Sequence, residues 1–164
     1  MRLRLYQRLL LRKLSKLIYN QLSNLEKEIL MLGEKMGSMT CTAANKVLPT
    51  QSTLTKFEVA VQGSGTLAGA QVQTMSTYYA EMRADGSIYG ELPNSGIVMA
   101  ADGVATFRAT GSGEMTEDDG SKFRGACYFE TTAPSLMSLN GKAMIYEWDV
   151  DPNGNANWEI WHWA

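Results

Sequence analysis

The chain has 164 residues, 45% of them hydrophobic and 20% charged, with a formal net charge of −2. That length suits one domain with an appendage. Two cysteines, Cys41 and Cys127, are too few for a disulfide scaffold or a thiolate zinc centre, and they read as reduced, buried thiols. The net charge hides a split. Residues 1–36 hold eight Lys/Arg and three Glu, a balance of +5, whereas residues 37–164 hold seven Lys/Arg and fourteen Asp/Glu, a balance of −7. An acidic body lacks the basic face that phosphate contacts need, so no nucleic-acid partner is expected.

Residues 1–36 contain no Pro and, apart from Gly33, no Gly, and leucine recurs at helical spacing. The pattern predicts one long amphipathic helix in two halves. In the first half, Leu3, Tyr6, Leu10, Leu14 and Leu17 fall on one arc, while Arg4, Arg8 and Arg12 fall on the other. A cationic helix with this much apolar surface is expected to dock on a larger protein complex or on an anionic membrane surface. In the second half, Ile18, Leu22, Leu25, Ile29, Leu32 and Met36 alternate spacings of four and three. That is a coiled-coil seam, read as an oligomerisation stalk, with a helix packed on its own barrel as the alternative. Gly37 with Ser38 is the expected stop.

No run of roughly 20 apolar residues is present. Arg8, Arg12 and Lys13 interrupt the first apolar stretch too early for a secretory signal. The arginine-rich, acid-free start also has the composition of an organelle transit peptide, but the heptads continue straight out of it. The expected location is cytoplasmic, peripheral to the inner face of a membrane if residues 1–17 meet lipid.

From Thr40 the signal becomes β. Strands are predicted over 40–47, 56–63, 71–83, 87–91 with 96–100, 104–115, 122–131, 142–149 and 157–163, with a short helical turn over 133–137. Asp85-Gly86, Asp102-Gly103, Asp119-Gly120, Asn140-Gly141 and Asn153-Gly154 punctuate them. Strands joined sequentially by tight turns close on themselves to remove their edges. The expected fold is therefore mainly β, an antiparallel up-and-down eight-stranded barrel over residues 37–164 preceded by the helix of residues 1–36. A flattened sandwich is the runner-up.

From Gly37 onward the chain resembles a small prokaryotic family of uncharacterised proteins. The residues that carry this are "GSGTLAGAQVQTMSTYYAEMRADGSIYGE", "GIVMAADGVATFRATGSGE", "FRGACYFETTAPSLMSLNG" and "EWDVDPNGNANWEIWHW". The resemblance implies a barrel similar to the allene-oxide-cyclase and dirigent-like barrels, which are small and often trimeric. It brings no assigned activity, and no catalytic residue is carried over.

Chemistry-bearing motifs are sparse. "GSGTLAG" lacks the Lys and Ser/Thr of a phosphate-binding loop and reads as a strand bend. His162 is the only histidine, and its alternation with Trp158 and Ile160 reads as a half-buried terminal residue rather than a proton carrier. No metal site and no cofactor are expected. Within the strands, Met144, Tyr146, Trp148 and Val150 form a core-like set. On the strand over 122–131 either parity can face inward; if the small residues do, Arg124, Tyr128 and Glu130 lie in a lumen and could anchor a ligand.

Two functional expectations result. The first is a non-enzymatic, homo-oligomeric (trimeric) barrel docked through its N-terminal residues. The second is a barrel that binds a small apolar ligand or acts as a cyclase or isomerase.

Overall fold

The computed structural model describes Lys13, Lys16, Leu32 and residues 33–163. Eight strands are present: β1 (Lys35–Leu48), β2 (Lys56–Leu67), β3 (Ala70–Met82), β4 (Ile88–Ala100), β5 (Gly103–Met115), β6 (Ser121–Thr131), β7 (Met144–Val150) and β8 (Asn155–His162). Each pairs antiparallel with the next, and β1 pairs with β8, so the sheet is a closed barrel. Closure removes the sandwich alternative.

Strict alternation builds the wall. On β2, Val59 and Val61 point inward and are buried, while Ala60 and Gln62 point outward. On β7 and β8, Met144, Trp148, Trp158 and Ile160 are buried. A 3₁₀ turn (Pro134–Leu139) plugs one end with the fully buried Leu136 and Leu139. The carboxylate of Asp102 fixes this plug by accepting hydrogen bonds from the Ser135 backbone N–H (2.8 Å) and hydroxyl (2.6 Å). Strand β2 runs on to Leu67 through the Gly-rich stretch read above as a bend, and the turn falls at Ala68-Gly69, both with positive φ.

Strand β4 carries the main irregularity. Between Leu92 and Gly96 it has three residues, Pro93, Asn94 and Ser95, where β5 has only Arg108. The surplus bulges out of the ladder, with Asn94 at φ 59°, and the Ser95 hydroxyl ties it back to the Thr77 carbonyl at 2.6 Å.

The N-terminal expectation needs correction. Among the described residues no helix reaches seven residues; the 3₁₀ turn of six is the longest. Lys13, Lys16 and Leu32 are isolated described positions with helical backbone. The chain turns at Gly33, whose φ of 72° suits glycine, and not at Gly37. Strand pairing then takes over: the Glu34 carbonyl accepts from the His162 N–H at 2.8 Å, and Lys35 pairs with Trp161. Met36, expected in the coiled-coil seam, lies in β1 and packs against the barrel core. The barrel thus starts at Lys35.

The outer wall has two unlike patches. Register aligns Thr40, Ser64, Gln73, Met99 and Val104 in one row across β1–β5, and Thr42, Gln62, Met75, Ile97 and Thr106 in the next. The short rows Ser38–Thr66–Gln71 and Ala44–Ala60–Thr77 flank them. None of these residues is charged. On β6–β8 the rows are Arg124–Glu147–Glu159 and Lys122–Asp149–Asn157. There Arg124 bridges Glu147 (Nε to Oε1, 3.2 Å) and Asp149 (Nη1 to Oδ1, 2.6 Å), and Lys35 of β1 reaches across to Glu159 of β8 at 3.0 Å.

Candidate functional site

The inward parity of β6 is Phe123, Cys127 and Phe129, all buried. Arg124, Tyr128 and Glu130 are therefore on the outside of the barrel, not in a lumen. The physical reason is packing. Large rings on β6 fill the interior, and the small Gly125 sits between them because a Cβ there would overlap the Thr110 carbonyl.

The interior retains one small cavity of about 60 Å³. Its walls are aromatic: Tyr78, Phe107, Phe123, Tyr146, Trp148 and Trp158. Phe107 links two strands' worth of rings, 5.5 Å from Phe129 and 5.0 Å from Trp158 between centroids. Tyr78 stands edge-on to Phe123 (6.3 Å) and Trp148 (6.5 Å), and its hydroxyl accepts the Trp148 indole N–H at 3.3 Å. The Tyr146 hydroxyl points at Gly111, where a Cβ would overlap it.

These buried groups are held neutral. Burial pushes the Tyr78 phenol up to about 12, an effect slightly offset by the Trp148 hydrogen bond. Burial also raises Tyr146, with neighbouring Cys127 and the tyrosines adding to it. It pushes the Cys41 thiol up to about 11 and Cys127 higher still. A thiol needs its thiolate form to attack or to bind metal, so both cysteines behave as small apolar side chains near neutral pH. Among the described residues, no three His, Cys, Asp or Glu side chains converge on a point that could hold a metal ion. His162 is half-buried at the end of β8. No helix among the described residues is long and apolar enough to cross a membrane.

Leu3, Tyr6, Leu10, Leu14, Leu17, Arg4, Arg8 and Arg12 lie outside the described residues, as do Ile18, Leu22, Leu25 and Ile29. Leu32 is partly buried just before the Gly33 turn. The cavity residues Tyr146 and Trp148 carried a readable signal, the alternation Met144-Tyr146-Trp148-Val150. The roles of Tyr78 and Phe107 had none, because they depend on which rings meet across the barrel.

Comparison with known proteins bears on the fold alone. No protein-family model matches the chain, and no curated protein matches it. Among solved structures, the chain is similar to a conserved protein of unknown function from Rhodopseudomonas palustris, at 14% identity and a TM-score of 0.65, over 79% of this chain and 95% of that one. It is also similar to a protein with unknown function from Clostridium acetobutylicum, at 13% identity and a TM-score of 0.65, over 80% and 98% of the two chains. The chain thus shares its barrel with proteins whose function is unknown.

Proposed function

We propose that the protein is a non-enzymatic interaction module: a homo-oligomeric barrel, trimeric by analogy, that residues 1–17 attach to a larger assembly. The observation that carries this reading is how completely the lumen is filled. A cavity of about 60 Å³ is far below the ~300 Å³ at which ligand sites begin. The ion pairs of Arg124, meanwhile, lie on the outside of the barrel and not in its lumen. Arg4, Arg8 and Arg12 among Leu3, Tyr6, Leu10, Leu14 and Leu17 supply a cationic, apolar tag whose target is an anionic protein surface or an anionic bilayer. Sedimentation velocity of the full chain, with flotation on phosphatidylglycerol vesicles at low salt, tests both parts. A monomer that neither floats nor co-purifies with a stoichiometric partner overturns the reading.

The cavity favours a second reading. The Tyr146 hydroxyl among the aromatic walls of the cavity offers a place for one small, mainly apolar molecule with a hydrogen-bond acceptor. This is the use that the resemblance to allene-oxide-cyclase-like barrels suggests, scaled down to the space present. Acetone or phenol raising the melting temperature of the wild type but not of Tyr146→Phe would favour it, and equal effects on both would remove it.

A further inference from the structure

The cavity and the irregularity in β4 coincide. Between the pairs Ser76 with Gly96 and Tyr79 with Glu91, two residues of β3 (Thr77 and Tyr78) lie opposite four of β4 (residues 92–95). On the other flank of β4, residues 93–95 lie opposite Arg108 alone. Strand β4 thus leaves the ladder on both sides at once. The residues that bound this break on all three strands also line the cavity: Ser76 and Tyr78, Glu91 and Leu92, Phe107 and Ala109. Glu91 is exposed, and Ser76 and Tyr78 are half-buried although they continue the inward parity of the buried Thr74. The barrel ends are closed. Leu136 and Leu139 of the 3₁₀ turn plug one, and Phe57, Met82 and Val150 pack on the core at the other.

We propose that this break is the port of the cavity, through which a small uncharged molecule with a hydrogen-bonding oxygen enters between β3 and β4 when the bulge of residues 93–95 swings aside. The inference rests on the second reading above, in which the cavity holds one small molecule, and adds its route and its charge. The bulge is built to move. Pro93, Asn94 and Ser95 are exposed and outside the ladder, so little burial or pairing opposes their displacement. Asn94 holds a left-handed backbone at φ 59°, a conformation that clusters at ligand clamps. The Ser95 hydroxyl, donating to the Thr77 carbonyl at 2.6 Å, is the latch. One neutral hydrogen bond closes the port without sealing it. The lining sets the charge of the guest. Among the described residues it holds no Lys, Arg or His, and Glu91 stands at the port. An anion is repelled there, and a cation would leave water for an interior with no buried counter-charge. A neutral oxygen meets neither obstacle and accepts from the Tyr146 hydroxyl.

Exchange of phenol with the full chain, followed by NMR line broadening, tests the route. Ser95→Ala removes the latch and is expected to raise the association and dissociation rates together, by roughly tenfold, with the dissociation constant held within about twofold. Ser95→Thr, which keeps the hydroxyl, is expected to exchange at the wild-type rates. Asp102→Ala loosens the plug at the barrel end instead and is expected to change neither rate. If Ser95→Ala leaves exchange unchanged, or if Asp102→Ala accelerates it as much, the port is overturned while binding, and with it the second reading, stands. Acetone, acetate and acetamidinium share a shape and are neutral, anionic and cationic. Acetone alone is expected to raise the melting temperature of the wild type above that of Tyr146→Phe, and an equal rise with either ion overturns the uncharged class. If neither phenol nor acetone binds the wild type, the second reading falls and the port falls with it.

Discussion

Two patches of this barrel wall share one interior and differ in what they show to solvent. On β6–β8, Arg124 holds two carboxylates at once. On β1–β5, the rows through Met75 and Gln73 show only amide, hydroxyl and apolar groups. Inward, both are almost wholly apolar, Thr74 of β3 being the buried polar residue among those described. Burial of alternate residues sets the inner face of every strand, so it cannot distinguish the patches. The outer face is free to vary, and there the difference speaks of partners rather than stability.

The sharpest way to break the comparison is through the residue that joins the patches. Phe107 belongs to β5, but its ring packs on Phe129 of β6 and Trp158 of β8. Phe107→Ala is expected to cost about 3–5 kcal/mol in chemical denaturation. A single cooperative transition in this variant would show that the patches remain one unit.

Alkali comes next. The folded state holds Cys41 and Tyr78 protonated, raising them from 9.0 to about 11 and from 10.0 to about 12. Their contribution is complete below about pH 9 and is lost as pH rises through 11 to 12, because the unfolded chain releases these protons earlier. Tyr78 alone accounts for about 2–3 kcal/mol of that fall, since each tenfold gain in proton affinity is worth about 1.4 kcal/mol. Urea midpoints across pH 8–12 check it, and Tyr78→Phe should flatten the upper part of the curve. At pH 7 the same Tyr78→Phe change removes the acceptor for the Trp148 N–H. The expected cost is about 1 kcal/mol. The smallest effect is expected at Arg124→Ala. Its side chain is 47% exposed, so its two ion pairs together contribute less than about 1 kcal/mol, and that contribution should vanish in 1 M salt.

The strands were legible in the sequence because period-2 alternation and Asp-Gly or Asn-Gly turns are local signals, as at Asp85-Gly86 and Asn153-Gly154. The N-terminal boundary was not. Heptad spacing through Leu32 and Met36 fits a helix, but the pairing of Lys35 with Trp161 is a contact between residues far apart in sequence, which no local pattern contains. The same holds for β6. Its alternation marks two faces without saying which is inward, and the choice that puts Arg124 outside depends on rings contributed by β5 and β8. The cavity was legible only through Tyr146 and Trp148. Its size follows from how well all the rings interlock.

Closure also sets an order of events. Seven of the eight strand pairings join consecutive strands, and the eighth joins β1 to β8. The consecutive pairings can form as the chain is made, all but that of β6 with β7 across a short loop. Strand β1 must wait for the last strand to be synthesised before its free side is covered. Until then the nascent sheet carries an unpaired edge beside its uncharged rows, where no like-charge repulsion would keep neighbouring chains apart. The interval before the last strand arrives is when this protein is most exposed to misassembly.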